Sequence, residues 1–314
     1  MKLLITGALG HIGSRLIHSL RPGEFSQVVL LDNLSTQRYC SLFNLPAGVP
    51  FRFEEVDICT DDLEKHLDGM DVVIHLAAVT NAAASFEIQA KVEQVNYEGT
   101  ERVAQACLKC GCRLFFPSTT SVYGKQAEVV DETCAVEDLK PQSPYASSKL
   151  KAERQLQELA RSGGLRAVVC RLGTIFGTSI GMRFHTAVNK FVWQASVGQP
   201  VTVWSTAMHQ KRPYLDLDDS VRAIKFIIEK DLFDGQVYNV VSANATVADI
   251  LGIIRLSVPD LQVQYVDTPI MNQLSYTVAN DKFSRLGFGF EGSLEKGINE
   301  TLQLIHGVRQ HSGG

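Results

Sequence analysis

Residues 2–13 read K-L-L-I-T-G-A-L-G-H-I-G. Lys2 to Thr6 is a short, largely apolar run without helical period. Gly7, Gly10 and Gly13 then follow at three-residue spacing, and an amphipathic segment begins near Ile12. Strand, tight glycine turn and helix in that order form the opening unit of a dinucleotide-binding fold. Each glycine has a physical reason. Gly7 lets the chain reverse, Gly10 lets the backbone approach a pyrophosphate, and Gly13 lets the helix pack closely on the strand. The helix N-terminus offers N–H groups and a positive dipole end to phosphate oxygens. The spacing is G-x-x-G-x-x-G, not the more familiar G-x-G-x-x-G, so the reading needs support from the chain beyond Gly13.

The next segments supply it. Gln27 to Leu31 reads as a second strand ending at Asp32, about twenty residues past the turn, where a carboxylate hydrogen-bonds an adenosine ribose and repels a 2′-phosphate. NAD is therefore favoured over NADP, the competing reading being a turn aspartate before Asn33. Phe51–Val56 and Asp71–Leu76 are further strands, with a helix capped near Thr60 to Asp62 between them. The small Ala77 and Ala78 leave room for a cofactor across the strand end. Ser85 to Lys109 reads as one long helix with Asn96 in its middle, and Gly111 as a C-cap. Arg113–Phe116 is a fifth strand, delivering Ser118, Thr119, Thr120 and Ser121 to the C-terminal edge of the sheet, where ligands bind in open parallel sheets. A helix over Ala146 to Ala160 and a strand over Leu165 to Arg171 complete the alternation. The expected class is α/β, a Rossmann-type doubly wound parallel sheet with a smaller, mixed α/β C-terminal substrate domain. The expected division is 1–173 plus a return segment at about 212–243 for NAD, and 174–211 plus 244–310 for substrate. In the second part, helices are expected within 179–197, over Ser220–Glu229, from the Thr246 cap to Leu256 and over Leu294–His306, and strands at Val201–Trp204, Val237–Val240 and Val263–Val266. Gly313 and Gly314 read as a frayed tail.

Composition bounds the partners. The 314 residues carry a net charge of −4, with 45% hydrophobic and 20% charged residues. That is an ordinary globular balance without the basic patch of a nucleic-acid binder. No run of about 18 apolar residues suggests a membrane span. A first strand beginning at residue 2 leaves no room for a signal peptide, and seven scattered cysteines read as reduced thiols, so a cytoplasmic location is expected. Cys107, Cys110 and Cys112 lack the further ligands of a zinc clip and read as small buried residues at a helix–strand junction; no metal is expected.

Tyr145 and Lys149 carry the chemistry. Four residues apart on one helix, they share a face. A free phenol titrates near ~10 and is a poor base at neutral pH, but an adjacent ammonium favours the phenolate. The pair stands one helix after the strand that ends in Ser118 and Thr119.

Together these residues resemble the extended short-chain dehydrogenase/reductase family, in its NAD-dependent nucleotide-sugar epimerase/dehydratase branch. The resemblance rests on T-G-A-L-G-H-I-G (6–13), L-D-N-L (31–34), H-L-A-A (75–78), N-Y-E-G-T (96–100), P-S-T-T-S-V-Y-G (117–124), P-Y-A-S-S-K (144–149) and R-P-Y-L-D-L-D-D (212–219). It implies Tyr145 as catalytic base, Lys149 as its pKa-lowering partner and Thr119 as the hydroxyl sharing the substrate proton. It implies that NAD is held by Gly7, Gly10, His11, Ile12, Gly13, Asp32 and Asn33, with Asp57 and Ile58 near the adenine. Leu76, Ala77 and Ala78 would lie along the pyrophosphate side, and Asn96, Ser118, Tyr145 and Lys149 would complete the set. Thr119, Thr174, Asn189 and Arg212 would contact a nucleotide-diphosphate sugar, the competing reading for Arg212 being a salt bridge to Asp216 or Asp218. A homodimer is implied through the helices of Ser85–Lys109 and Tyr145–Arg161.

Three departures from the family pattern bear on the reaction. Thr120 and Ser121 replace the Asp and Glu that work as acid and base in 4,6-dehydratases, which disfavours dehydration. Thr174 stands where relatives often carry Asn. Met271 to Tyr276 lacks an upstream arginine that relatives use on phosphate, and Arg183 is offered as its substitute. The implied activity is epimerisation by transient C4 oxidation of the sugar, as in UDP-glucose 4-epimerase. A 4-ketoreductase or 4-dehydrogenase uses the same Thr–Tyr–Lys set, dehydration is disfavoured, and a non-catalytic NAD-binding scaffold is the remote alternative.

Overall fold

The computed structural model describes residues 1–124, 128–267, 275–305 and 307. Seven strands form one sheet: β1 (Lys2–Thr6), β2 (Gln27–Asp32), β3 (Phe51–Glu55), β4 (Val72–His75), β5 (Arg113–Thr119), β6 (Ala167–Leu172) and β7 (Val237–Val240). Their order is β3-β2-β1-β4-β5-β6-β7 and every pairing is parallel. The order runs one way from β1 to β3 and the other way from β4 to β7, so the sheet reverses between β1 and β4, the crevice where such folds place ligands.

The strands are apolar on both faces because helices cover both. On one face Leu3, Ile5, Val28 and Leu30 pack with Leu16 and Ile17 of α1 (His11–His18) and with Val221, Ile224 and Ile227 further along the chain. On the other, Leu4, Val29 and Leu31 pack with Val103 and Ala104 of α2 (Gly99–Cys110) and with Ala152 and Leu156 of α3 (Pro144–Ser162). The start of α3 is written locally: Ser143 Oγ accepts the Ala146 amide at 3.1 Å and Pro144 takes the first turn.

Three elements differ from the sequence expectation. The stretch from Ser85 to Lys109 is not one helix. It is a short 3₁₀ turn, an α-turn over Gln89–Glu93, a π-turn over Gln94–Glu98 and then α2. The wider turn carries Asn96 inward, where its amide grips the backbone of Val79. Strand β5 runs on through Pro117 to Thr119, because β6 pairs with it as far as Leu172 while β4 stops opposite Phe115. Pro117 thus faces a strand on one side only, which a residue without an N–H tolerates. The helix expected from Ser220 begins at Leu217 instead: in α4 (Leu217–Lys230), Asp216 caps the Asp218 amide at 2.8 Å.

Smaller sheets lie beyond the large one. Arg212–Asp216 pairs with Thr174–Phe176 and Ala243–Ala245, and Val201–Trp204 pairs with Val263–Val266. A separate core of Val188, Val192, Val201, Val203, Ile250, Ile254 and Ile298 joins these to the helices Ala187–Ser196, Val247–Ser257 and Leu294–Leu304. His306, Gly313, Gly314 and Met271 to Leu274 lie outside the described residues. Gly111 is left-handed at φ 72° and closes α2, and Cys112 Sγ donates to the carbonyls of Leu67 and Met70 at 3.4 and 3.2 Å. No grouping of metal-ligating side chains exists among the described residues, and none of their helices is long and apolar enough to cross a membrane.

Candidate active site

The glycine turn has less freedom than its spacing alone conveys. Gly7 sits at φ +64°, and a Cβ there would stand 2.5 Å from the Ala77 amide nitrogen. The turn after β1 and the end of β4 are therefore in backbone contact. At Gly13 a Cβ would lie 2.4 Å from the Ala8 carbonyl oxygen, within the turn itself. Gly10 is the N-cap of α1, and its amide donates to Gly7 at 3.1 Å. Asp32 closes the turn from β2, its two carboxylate oxygens accepting Leu9 N at 3.1 Å and Leu34 N at 3.0 Å. Asn33 Nδ2 reaches Asp57 at 3.1 Å, and the Ile58 carbonyl accepts Arg102 at 2.6 Å.

Above this turn lies a segment from the second half of the chain. Gly181 N donates to Ser14 Oγ at 2.9 Å, and Ser179 Oγ meets His11 Nδ1 at 2.8 Å. Arg183 follows, half-buried, with Nη1 donating to Thr80 Oγ1. Asn189 holds the segment, accepting Gly177 N at 3.4 Å and donating to the Arg183 carbonyl at 3.0 Å. The amide of Asn189, expected on the sugar nucleotide, is thus committed to the chain that presents Arg183. Thr174 stands half-buried beside it, on the strand next to Arg212–Asp216.

The reacting groups meet at the C-terminal edge of β5. Burial pushes the Tyr145 phenol up, and the Arg183 guanidinium and the Thr119 hydroxyl pull it down. The cation acting on Tyr145 in this structure is Arg183, where the family resemblance assigns that effect to Lys149. The Lys149 ammonium is buried over the Phe116 ring, 4.5 Å from its centroid. Burial pushes it down to about 7, against the pull of the Glu153 carboxylate. Ser118 and Asn96, both expected at the cofactor, have their polar groups engaged within the protein. Ser118 Oγ donates to Glu153, and Asn96 holds Val79 at 2.8 Å and Ser148 Oγ at 3.3 Å. They shape the site from behind. Arg212 forms no salt bridge with the two aspartates: it lies 5.5 Å from the Tyr276 ring centroid, while Asp218 pairs with Arg15. Tyr276 in turn donates to the Thr120 carbonyl at 3.3 Å.

A dinucleotide fits this architecture. The α1 N-terminus faces the turn, and two buried nitrogens beside it, His11 Nε2 and Arg183 Nε, have no partner among the described residues. Both are placed for phosphate or ribose oxygens. His11 is neutral, pushed down to about 3 by burial and then by Arg183, Arg38 and His185.

A model of the NAD dependent epimerase/dehydratase family matches residues 3–240. The chain belongs to that family. Among solved structures of this fold, UDP-glucuronic acid 4-epimerase from Bacillus cereus, in complex with NAD and a substrate analogue, superposes with a TM-score of 0.88 at 25% identity over 97% of this chain and 99% of that one. The uncharacterized UDP-glucose epimerase YtcB of Bacillus subtilis is 31% identical over 82% of this chain and 81% of its own length. The trifunctional 4,6-dehydratase/3,5-epimerase/reductase RHM1 of Arabidopsis thaliana is 29% identical over 96% of this chain, which spans about half, 46%, of the plant protein. The family's cofactor is NAD, in agreement with the carboxylate at Asp32.

Sequence reading did not single out Glu153, Arg171, Thr80 or Arg38. A signal existed for the first: Tyr145, Lys149 and Glu153 recur at four-residue spacing on one face of α3. Arg171 was visible as a charge inside an otherwise apolar strand.

The titration of Lys149 has a consequence for stability. Its folded pKa near 7 lies below the free value of 10.5, so across that window the unfolded chain keeps a proton that the folded chain has released. Stability therefore gains with pH from about 7 to 10.5, and the full penalty persists below it. In NAD-free protein, Lys149→Met removes this contribution. Denaturant midpoints of the two proteins should differ most near neutral pH and converge as pH rises. A constant offset between them would refute the assignment.

Proposed function

We propose that this protein is a nucleotide-sugar epimerase that works at C4 of the sugar through its bound NAD, in the manner of a UDP-glucose 4-epimerase. The observation that carries the reading is that Thr119, at the end of β5, and Tyr145, at the start of α3, meet at the sheet edge beside the glycine turn, with hydroxyl residues following Thr119. Thr120 is buried and donates to the Leu172 carbonyl at 3.3 Å, and the Ser121 amide is held by Thr119 Oγ1 at 3.2 Å. Neither supplies the carboxyl acid and base needed to take the C5 proton and expel the C6 hydroxyl, which weighs against dehydration. The structural relatives include UDP-sugar 4-epimerases as well as a dTDP-glucose 4,6-dehydratase, so the choice rests on Thr120 and Ser121.

In this reading Tyr145 takes the proton from the sugar 4-hydroxyl and Thr119 bridges the two oxygens. When bound, NAD supplies the reversible oxidation of the adjacent carbon. Arg183 is the cation that stabilises the phenolate, and Lys149, one turn beyond Tyr145 on the same helix face, is the group with which Tyr145 shares its proton. Arg183 binds an anionic oxygen of the substrate or cofactor, since its guanidinium, with Nε buried, has no carboxylate partner among the described residues. Segments 174–211 and 244–310 would shape the sugar-nucleotide pocket, and residues 1–173 with 212–243 the NAD site. The chemistry of a 4-ketoreductase or 4-dehydrogenase draws on the same groups and differs in consuming or accumulating NADH.

Proton NMR with a panel of UDP-, GDP-, CDP- and dTDP-sugars in D₂O decides among these. A C4 epimer forming without added reductant and without deuterium uptake is the expected result and names the substrate. A 4-keto product carrying deuterium would establish dehydration instead, and turnover only with added NADH or an oxidant would establish net redox chemistry. We further propose a homodimer through the helical face of 85–109 and 145–161, whose two parts are tied together by Lys151–Glu93 and Gln155–Glu101, both at 2.5 Å. Gel filtration near the single-chain mass of 34.6 kDa would refute it.

A further inference from the structure

Behind the reacting groups lies a buried ion pair. Glu153 stands one turn beyond Lys149 and two beyond Tyr145 on α3, so one helix face carries all three. Its side chain is 1% exposed and that of its partner Arg171 is 6% exposed. Arg171 grips the carboxylate with Nε at 3.2 and 3.1 Å from its two oxygens and Nη2 at 2.8 Å. Ser118, next to Thr119, donates its hydroxyl to the same carboxylate. Arg171 in turn lies 4.8 Å from the Tyr123 ring centroid, and Tyr123 donates to Asn239 at 2.8 Å. One carboxylate thus joins α3, β6 and the end of β5.

Such a pair is a poor device for stability alone, because desolvating two charges offsets most of their attraction and apolar replacements are often as stable. Lys149 supplies another reason. Facing it are Glu153 from its own helix and His75 from β4, with Arg171 and Tyr123 beyond Glu153; Tyr145 stands one turn before it on the same helix face, and Arg183 faces Tyr145. His75 is held neutral between Thr6 Oγ1 at 2.7 Å and Thr100 Oγ1 at 3.0 Å. Burial keeps Tyr123 protonated. Among the described residues, Glu153 is the anion that acts on Lys149.

We propose that Glu153 is a positioning residue for the reaction, aligning the Thr119 end of β5 through Ser118 and holding the shared proton on Lys149 instead of Tyr145. The inference rests on the reading of Tyr145 as base. After the Tyr145–Lys149 pair has lost one proton, it exists as phenol and amine or as phenolate and ammonium. The two forms differ by transfer of one proton from Tyr145 Oη to Lys149 Nζ, with no other reactant. A negative charge nearer to Lys149 than to Tyr145 favours the second, reactive form.

The test compares E153Q with the double variant E153Q/R171M in the NAD-bound enzyme. In E153Q the anion is gone and Arg171 is stranded. The acid limb of the kcat/KM profile should move down by about one pH unit, and kcat should fall about tenfold with KM little changed. In the double variant no charge is stranded, so the limb should return part of the way while kcat stays low. That variant also answers the case in which E153Q alone fails to fold. Limbs that stay in place while kcat and thermal stability fall together would reduce Glu153 to a packing role and overturn the inference. NMR titration of ε-¹³C-labelled lysine, with Lys149 assigned through K149R, reads the same charge effect without substrate. If the wild-type enzyme turns over no nucleotide sugar, the functional reading fails. A Lys149 signal that titrates identically with and without Glu153 overturns this one.

Discussion

Tyr145→Phe should lower kcat by about 10²- to 10⁴-fold, the range for removing a positioned general base, while NAD stays bound. The structure separates the two effects. The part of Tyr145 that holds the fold is its backbone amide, which donates to Ser85 Oγ at 3.3 Å and is unchanged in the variant. The part that reacts is the phenol oxygen, which Arg183 and the Thr119 hydroxyl pull toward ionisation. Phenylalanine keeps the ring and removes only that oxygen. Steady-state kinetics on the nucleotide sugar found by NMR, with NAD content read from the absorbance of the purified protein, checks both halves. Full activity in the variant would end the assignment of Tyr145 as base. Loss of NAD together with activity would show that the substitution disturbed the site as a whole.

Gly7→Ala should destabilise the protein by about 4 kcal/mol, near the upper end for a single substitution. Two independent costs combine at this position. The backbone is left-handed at φ +64°, which penalises any Cβ, and that Cβ would meet the main chain of Leu76 and Ala77 at 2.5 to 2.7 Å. Main chain at the end of a central strand has no rotamer with which to move aside, so the turn must shift away from β4. The crevice between β1 and β4 is where this fold places its ligand, and the variant should lose the thermal stabilisation that NAD confers on the wild-type protein. Thermal unfolding with and without NAD measures both. Gly10→Ala is the matched control: φ there is negative, and the nearest contact for a Cβ is the Gly7 oxygen at 3.2 Å. Equal losses in the two variants would mean that backbone conformation at Gly7 is not the cause.

Several helix ends in this chain are set by neighbours in sequence, and one is not. Ser143 and Pro144 define the start of α3 through side-chain capping and a preset φ. Asp216 does the same for α4. The π-turn at Gln94–Glu98 has no such local cause. It exists because the Asn96 amide satisfies both backbone groups of Val79 on a neighbouring segment, a contact between residues seventeen positions apart.

The candidate site divides along the same line. Gly7, Gly10, Gly13, Asp32, Tyr145 and Lys149 are legible in the sequence because each occupies a spacing that a single element dictates: a strand–turn–helix unit, a strand end, one helix face. That local regularity determined the parallel doubly wound sheet, its NAD chemistry and the pair expected to carry the reaction. Tertiary structure decided what surrounds that pair. Arg183, thirty-eight positions beyond Tyr145, is the cation beside its phenol, because the segment holding it is laid across the glycine turn by Ser14, His11 and Asn189. Lys149 answers to Glu153, whose charge is balanced by Arg171 from a strand on the sheet below. Asn189 and Ser118, whose motif positions resemble ligand contacts, turn their polar groups toward the protein instead. Spacing along a chain determines which residues share a face. Which charges meet in a dry interior depends on segments far apart in sequence, and there burial and pairing, through desolvation and Coulomb attraction, set the protonation that the chemistry uses.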